Sequence, residues 1–174
     1  MKEDITLKTV SSCTENGGQP FALMRSMYND YVLELRKFSN NVNLEQLILP
    51  EDNPEAIYCL IYTRDIKTPI GFVIYGKSPN SFSRHDLYIG EFFIIKSQRN
   101  KGIGSDVLNK LIDMAEKDDL DITFFILDKN LPSIVMTSKT LEQRGYNERF
   151  SVAGIKTTCC DNKDIKFYYY MKAG

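Results

Sequence analysis

Residues Glu91–Asp106 read EFFIIKSQRNKGIGSD, and the rest of the chain is best understood outward from them. One acid precedes four apolar residues, Phe92 to Ile95, the pattern of a strand covered on both faces. A short basic loop follows, and then Gly102 and Gly104 open a helix with Ile103, Val107, Leu108, Leu111, Ile112 and Ala115 along one side. The first turn of any helix carries N–H groups with no intrahelical partner, at the positive end of its dipole. Such an end takes up phosphate. Glycines without a Cβ let an anion approach the backbone closely, and Arg99 and Lys101 can add charge-assisted hydrogen bonds.

Three kinds of phosphate loop have glycines near a helix start. A P-loop requires GxxxxGK[ST], which the chain does not contain. A dinucleotide fingerprint requires GxGxxG or GxGxxA, but Val107 stands at the third position and Asp128 is only a loose match for the acid that follows the next strand. The pattern that fits is R-x-x-G-x-G, with Arg99, Gly102 and Gly104.

On the N-terminal side, Ile5 to Val10 alternates as a strand, and Ser11 to Pro20 reads as a glycine-containing loop. Phe21, Met24, Tyr28, Tyr31, Val32, Leu35 and Phe38 recur at helical steps and predict a helix with a wide apolar face. A short helix is expected at Leu44 to Leu49, stopped by Pro50. Ala56 to Thr63 and Ile70 to Tyr75 form a predicted hairpin, Lys77 to Asp86 an exposed loop, and Leu87 to Ile95 a strand. Beyond the helix come a strand at Ile122 to Leu127, a helix at Ser133 to Arg144 capped by Gly145, and strands near Tyr146 to Ile155 and Ile165 to Met171. The order β-α-α-β-β-β-α-β-α-β-β implies an α/β (α+β) fold with a mixed sheet, and residues 1–174 are read as a single domain.

Composition narrows the functions. The 174 residues are 43% hydrophobic and 26% charged, a globular balance, and 22 Lys plus Arg against 23 Asp plus Glu offer no basic excess for nucleic acid. No apolar run approaches the roughly 20 residues of a membrane span, and Lys2, Glu3, Asp4 and Lys8 leave no apolar leader segment, so a cytoplasmic chain is expected. Cys13, Cys59, Cys159 and Cys160 lack metal-knuckle spacing and read as reduced thiols. His85 is the sole histidine, which excludes sites built on several histidines, and no metal is expected; a Ser-His-Asp hydrolase would need its base there, in a loop-like setting.

With its flanking strand YIGEFFII and helix SDVLNKLIDMAE, the R-x-x-G-x-G motif resembles the diphosphate loop of the GCN5-related N-acetyltransferase (GNAT) superfamily. A second match is Asn130-Leu131-Pro132-Ser133 after the strand FFIL, with Gly145-Tyr146 closing the next helix. EFFIIKSQRNKGIGSDVL and NLPSI are also locally similar to the diamine acetyltransferase branch. The resemblance implies the acetyl-CoA N-acyltransferase-like fold, acetyl-CoA as co-substrate and a primary amine, small molecule or peptide, as acceptor.

It further implies a splay between the strand ending at Ile95 and the strand Ile122 to Leu127. Pantetheine would hydrogen-bond there to the main chain of Phe93 and Ile95, with Ile94 between them. Arg99, Asn100, Lys101, Gly102, Ile103, Gly104 and Ser105 would hold the diphosphate. Asn130 would either bond the pantetheine arm or simply cap its helix. The amine attacks the thioester directly, without a covalent enzyme intermediate. Glu91, an acid among apolar residues, is the candidate general base; a structural carboxylate bonded to a backbone N–H or an arginine is the alternative.

The family's tyrosine that protonates the thiolate falls on Leu141, or on Thr137 by another count, so this chain departs from the pattern. Ser138 or Thr137 could hold a water though neither is a good acid, and otherwise the thiolate leaves unassisted or a tyrosine from Tyr168 to Tyr170 reaches in. That departure keeps open a non-catalytic acyl-CoA sensor; an oxidoreductase using Gly102 and Gly104 is a further rival. Glu45, Glu51, Asp52 and Glu55 suit a cationic acceptor or a merely solvated surface. The terminal FYYYM is compatible with a homodimer contact and equally with an internal sheet edge.

Overall fold

The computed structural model describes residues 4–10, 18–39, 55–79, 85–153 and 165–172. Strands β1 (Ile5–Thr9), β2 (Ala56–Thr63), β3 (Gly71–Pro79), β4 (His85–Ile94), β5 (Asp121–Leu127), β6 (Tyr146–Ala153) and β7 (Ile165–Lys172) form one sheet in the order β1-β2-β3-β4-β5-β7-β6. Three helices pack on it: α1 (Gly18–Leu35), α2 (Ile103–Lys117) and α3 (Leu131–Gln143). This is the mixed α/β architecture that the element order predicts. The helix expected at Leu44 to Leu49 lies outside the described residues, as do Glu45, Glu51, Asp52, Cys13, Cys159 and Cys160.

Successive strand residues point to opposite faces, and the core divides accordingly. Cys59 and Ile61 of β2 and Val73 and Tyr75 of β3 join α2 in one cluster, while Tyr58, Leu60, Phe72 and Ile74 join Phe21, Met24, Tyr28 and Val32 of α1 in another. The apolar stripe predicted for α2 is wholly buried. α1 starts earlier than expected, at Gly18, because Pro20 falls in the first turn, where a missing N–H costs nothing.

The predicted loop from Lys77 to Asp86 is mostly strand at its two ends: Lys77 pairs with Leu87, Ser78 with Asp86 and Pro79 with His85. The buried Asp86 is held there by the Thr123 hydroxyl, which donates a hydrogen bond to its carboxylate.

β4 and β5 are the parallel pair, joined by the α2 crossover. Their ladder runs only from Asp86↔Asp121 to Ile89↔Phe124. β4 stays paired with β3 as far as Ile94, and β5 with β7 as far as Leu127, so a gap opens between β4 and β5 alone. A bulge sets the start of that gap. Ile89 pairs with Tyr75 and Glu91 with Ile74, leaving Gly90 as the extra residue. Leu87 and Ile89 face α2; by simple alternation Glu91 would follow them, but the bulge turns it to the α1 face. Cys59 is a buried free thiol, and among the described residues no helix is long and apolar enough to cross a membrane.

Candidate active site

Glu91 lies just past the last rung of the β4–β5 ladder, under α1. Tyr31 of α1 donates a hydrogen bond to its carboxylate. The tyrosine is held edge-on by Phe72 and Phe93, at ring-centre distances of 5.7 and 5.8 Å. Burial pushes the Glu91 carboxyl up to about 7, and the Tyr31 hydroxyl opposes part of that rise. Tyr31 itself is held well above its ordinary value, first by burial and then by the charge and hydrogen bond of Glu91, with Tyr28 and Tyr88 adding to it. A carboxyl that is half ionised near neutrality can accept a proton from an ammonium group and release it again.

The diphosphate-loop residues form a distinct turn. A single 3₁₀ turn, Lys96–Gln98, leads to Asn100 at φ 61° and Gly102 at φ 83°, both left-handed. Gly102 is the N-cap of α2 and accepts from the Asp106 N–H at 3.0 Å. The N–H groups of Ile103, Gly104 and Ser105 therefore make up the partnerless first turn. A Cβ on Gly104 would meet Met136 Cε at 3.6 Å, Met136 Sδ at 3.8 Å and Phe92 Cζ at 4.0 Å, ordinary van der Waals distances, so this side of the turn packs against α3 and β4. The Thr140 hydroxyl of α3 lies 3.2 Å from Ser105 Oγ, and Lys101 Nζ donates to Gln98 Oε1 at 2.7 Å on the surface. The first-turn amides form an anion-binding helix start of the kind that holds phosphate.

The main-chain groups that edge the gap are not those expected. Ile95 N–H donates to Ile70 O at 2.9 Å, and Phe93 O sits 2.1 Å from where a Gly71 Cβ would be. Phe93 and Ile95 thus spend their main chain on β3. By alternation it is Phe92 and Ile94 that turn theirs toward the gap, so the predicted pair is corrected by one residue and only Ile94 keeps its place.

Arg99, expected at the diphosphate, has three partners within the chain. Its Nε donates to Ile94 O at 2.7 Å, its terminal nitrogen pairs with Glu34 of α1 at 2.7 Å, and its guanidinium lies 5.3 Å from the Phe93 ring centre. Glu34 and the Phe93 ring draw it toward α1, while its Nε occupies the Ile94 carbonyl at the end of β4.

Asn130 caps α3: its side-chain oxygen accepts from Ser133 N–H at 3.4 Å, with Pro132 in the first turn. Thr137 and Leu141 are buried. Ser138 Oγ lies 2.9 Å from Tyr170 Oη, which also donates to Glu148 at 3.3 Å, and Tyr169 donates to Asp121 at 2.6 Å. Tyr170 is opposite Ile122 and Tyr168 stacks on Phe124, so these tyrosines serve the closed part of the sheet and not the gap. Tyr31, Glu34 and Phe92 escaped the sequence reading. The helical spacing of Tyr31 marked it only as part of an apolar face, and nothing local pairs Glu34 with a residue 65 positions away.

Among the described residues, no three His, Cys, Asp or Glu side chains are grouped to hold a metal. A sequence model described as the acetyltransferase (GNAT) family matches residues 24–142, from α1 through nearly all of α3. No curated protein matches the chain significantly.

Solved structures do. A ribosomal-protein-alanine N-acetyltransferase from Brucella melitensis has a TM-score of 0.59 at 17% identity, over 95% of this chain and 96% of the other. An Arabidopsis thaliana protein in complex with the bisubstrate analogue CoA-Ac-MVNAL has a TM-score of 0.56 at 18% identity, over 98% and 99%. A GNAT family acetyltransferase from Elizabethkingia anophelis with acetyl-CoA bound has a TM-score of 0.57 at 12% identity, over 99% and 100%. At these identities the likeness is one of fold.

Proposed function

From the premise that this chain belongs to the acetyltransferase (GNAT) family, we propose that it is an N-acetyltransferase that uses acetyl-CoA to acetylate a primary amine, with Glu91 as the base. The observation that carries this reading is the position of Glu91: a buried carboxyl, pushed up to about 7, that a bulge turns under α1 at the edge of the β4–β5 gap. Acetyl-CoA supplies an acetyl group activated as a thioester.

The chain's residues then have separate tasks. Amides of Ile103, Gly104 and Ser105, with Asn100, Lys101 and Gly102 shaping the turn, hold the diphosphate. Phe92 and Ile94 offer main-chain groups along the gap to pantetheine, and the NH₂ of Asn130 can add a donor while its oxygen caps α3. Holding donor and acceptor together accounts for much of the rate. Glu91 takes the proton that the ammonium must lose before its nitrogen can attack, and Tyr31 keeps the carboxylate oriented.

The departing thiolate has no tyrosine waiting on α3, where Leu141 and Thr137 stand. A thiolate leaves more readily than an alkoxide or an amide anion, so its release need not be assisted. The same departure motivates the second reading, an acyl-CoA sensor. A cytoplasmic setting accords with the reduced, buried Cys59.

Incubation with acetyl-CoA, a thiol reagent and a panel of small amines and peptides with free N-termini tests the proposal. Peptides belong in the panel because one fold neighbour is crystallised with a peptidyl CoA conjugate. Amine-dependent thiol release and acetylated product are expected. Tight CoA binding with no release on any amine would replace the enzyme with the sensor.

A further inference from the structure

Within the loop motif, the geometry gives Arg99 a task other than binding phosphate. We propose that Arg99 is a positioning residue: together with Glu34 it clasps α1 to β4, so that Tyr31 stays over Glu91. The inference rests on the acetyltransferase reading and refines it.

Four observations support the clasp. The guanidinium uses two sides at once, Nε on the Ile94 carbonyl and a terminal nitrogen on the Glu34 carboxylate, both at 2.7 Å. Only a planar fork does this; a lysine ammonium on its flexible stem does not reproduce it. Glu34 stands three residues after Tyr31, which makes the two neighbours on one side of α1. α1 ends at Leu35, so the pair fixes the last turn of the helix, next to the tyrosine it must hold. Finally, Arg99 lies over Phe93, the ring that also supports Tyr31 edge-on, so clasp and tyrosine share a wall. The phosphate-facing work remains with the first-turn amides of α2 and with Lys101.

The pair is partly exposed, with 36% of the Arg99 side chain and 26% of the Glu34 side chain accessible. Ion pairs in such settings add little to stability. Removing the pair should therefore leave a folded protein whose helix is misplaced, and sub-ångström to ångström misplacement of reacting groups costs on the order of tenfold to a hundredfold in rate.

The test compares Arg99→Gln, Glu34→Gln, the double variant and Arg99→Lys in the full chain, with acetyl-CoA and with S-acetylpantetheine, which lacks the diphosphate. Thermal melts verify folding. If the clasp is right, each single variant loses about tenfold or more in kcat, the double variant loses no more than either, and Arg99→Lys recovers little. KM for acetyl-CoA and the preference for acetyl-CoA over S-acetylpantetheine stay near wild type. The clasp is overturned if Arg99→Gln raises the acetyl-CoA KM tenfold and collapses the donor preference while Glu34→Gln behaves as wild type, or if both variants keep wild-type kcat.

Should the wild-type protein acetylate nothing, it is the enzyme reading that fails. Calorimetric acetyl-CoA affinity then decides for Arg99: unchanged in Arg99→Gln it is no phosphate ligand, and tenfold weaker it is one.

Discussion

Burial lifts the Glu91 carboxyl from 4.5 to about 7 against the pull of the Tyr31 hydroxyl, which brings its titration into the neutral range. Two measurable consequences follow from that one shift. For activity, kcat/KM should rise with pH through an acid limb near 7. In Glu91→Gln the limb disappears and the rate falls on the order of a hundredfold between pH 7 and 9, the gap closing near pH 10 as the acceptor deprotonates by itself. An unchanged limb in the variant would remove Glu91 from the chemistry. For stability, the folded carboxyl is harder to ionise than the unfolded one. Its contribution is therefore complete below the unfolded value of 4.5 and is lost as pH rises through 7. A rise of that size is worth about 3–4 kcal/mol, so Glu91→Gln should match wild type in denaturant melts at pH 4 and exceed it by about that amount at pH 9. Tyr31→Phe removes the donor that favours the charged form, and its acid limb should move to higher pH, the reverse of what a purely steric role would give.

Two glycines in the same loop do different physical jobs, and the turn and the helix it opens separate them. Gly102 holds φ 83° with nothing within 4 Å of a would-be Cβ, so its cost on substitution is backbone strain; Gly104 has an ordinary helical backbone and a Cβ site facing Met136 and Phe92. Gly102→Ala should lose about 1–2 kcal/mol of stability, read as a lowered Tm. Gly104→Ala should melt at or slightly above wild type, since its methyl meets Met136 and Phe92 at ordinary contact distance and alanine favours a helix by up to about 1 kcal/mol. Equal Tm losses in both would refute the distinction. This strand–loop–helix unit was legible in the sequence because its chemistry is local: glycine spacing, an amphipathic stripe and first-turn amides all lie within a few residues of one another. What lay beyond reading was set by partner strands. The bulge at Gly90 exists only relative to Ile74 and Tyr75 of β3. The choice of Phe92 and Ile94 over Phe93 and Ile95 depends on which neighbour β4 bonds first. The strand ends at Lys77 to Pro79 and His85 to Asp86 looked like loop until Thr123, far along the chain, supplied a partner for the acid.

On the scale of the whole molecule, the sheet is two pieces with a short seam. β1 to β4, under α1, meet β5, β7 and β6 through four paired residues on each strand, from Asp86↔Asp121 to Ile89↔Phe124, and α2 packs across the join. Residue patterns indicated the order of the elements, but the largely apolar β4 and β5 gave no sign of where their pairing would stop; that expectation came from the family likeness. A seam left open at one end is a place where a ligand with amide groups can take over the role of a strand, and the energetics can be measured. Acetyl-CoA at about a hundred times its Kd should add about 2.7 kcal/mol to stability, which for a chain of 174 residues raises Tm by about 5–10 °C. Where the stabilisation resides is the sharper test. In the free protein the Phe93 and Ile95 amides already bond β3, so hydrogen exchange there should be slow with or without the donor. The Phe92 and Ile94 amides face the gap and should exchange quickly until acetyl-CoA is added, then slow by an order of magnitude or more. A rise in Tm with no new protection at Phe92 and Ile94 would mean that the donor binds away from the seam, and the division of the sheet would then have no part in its recognition.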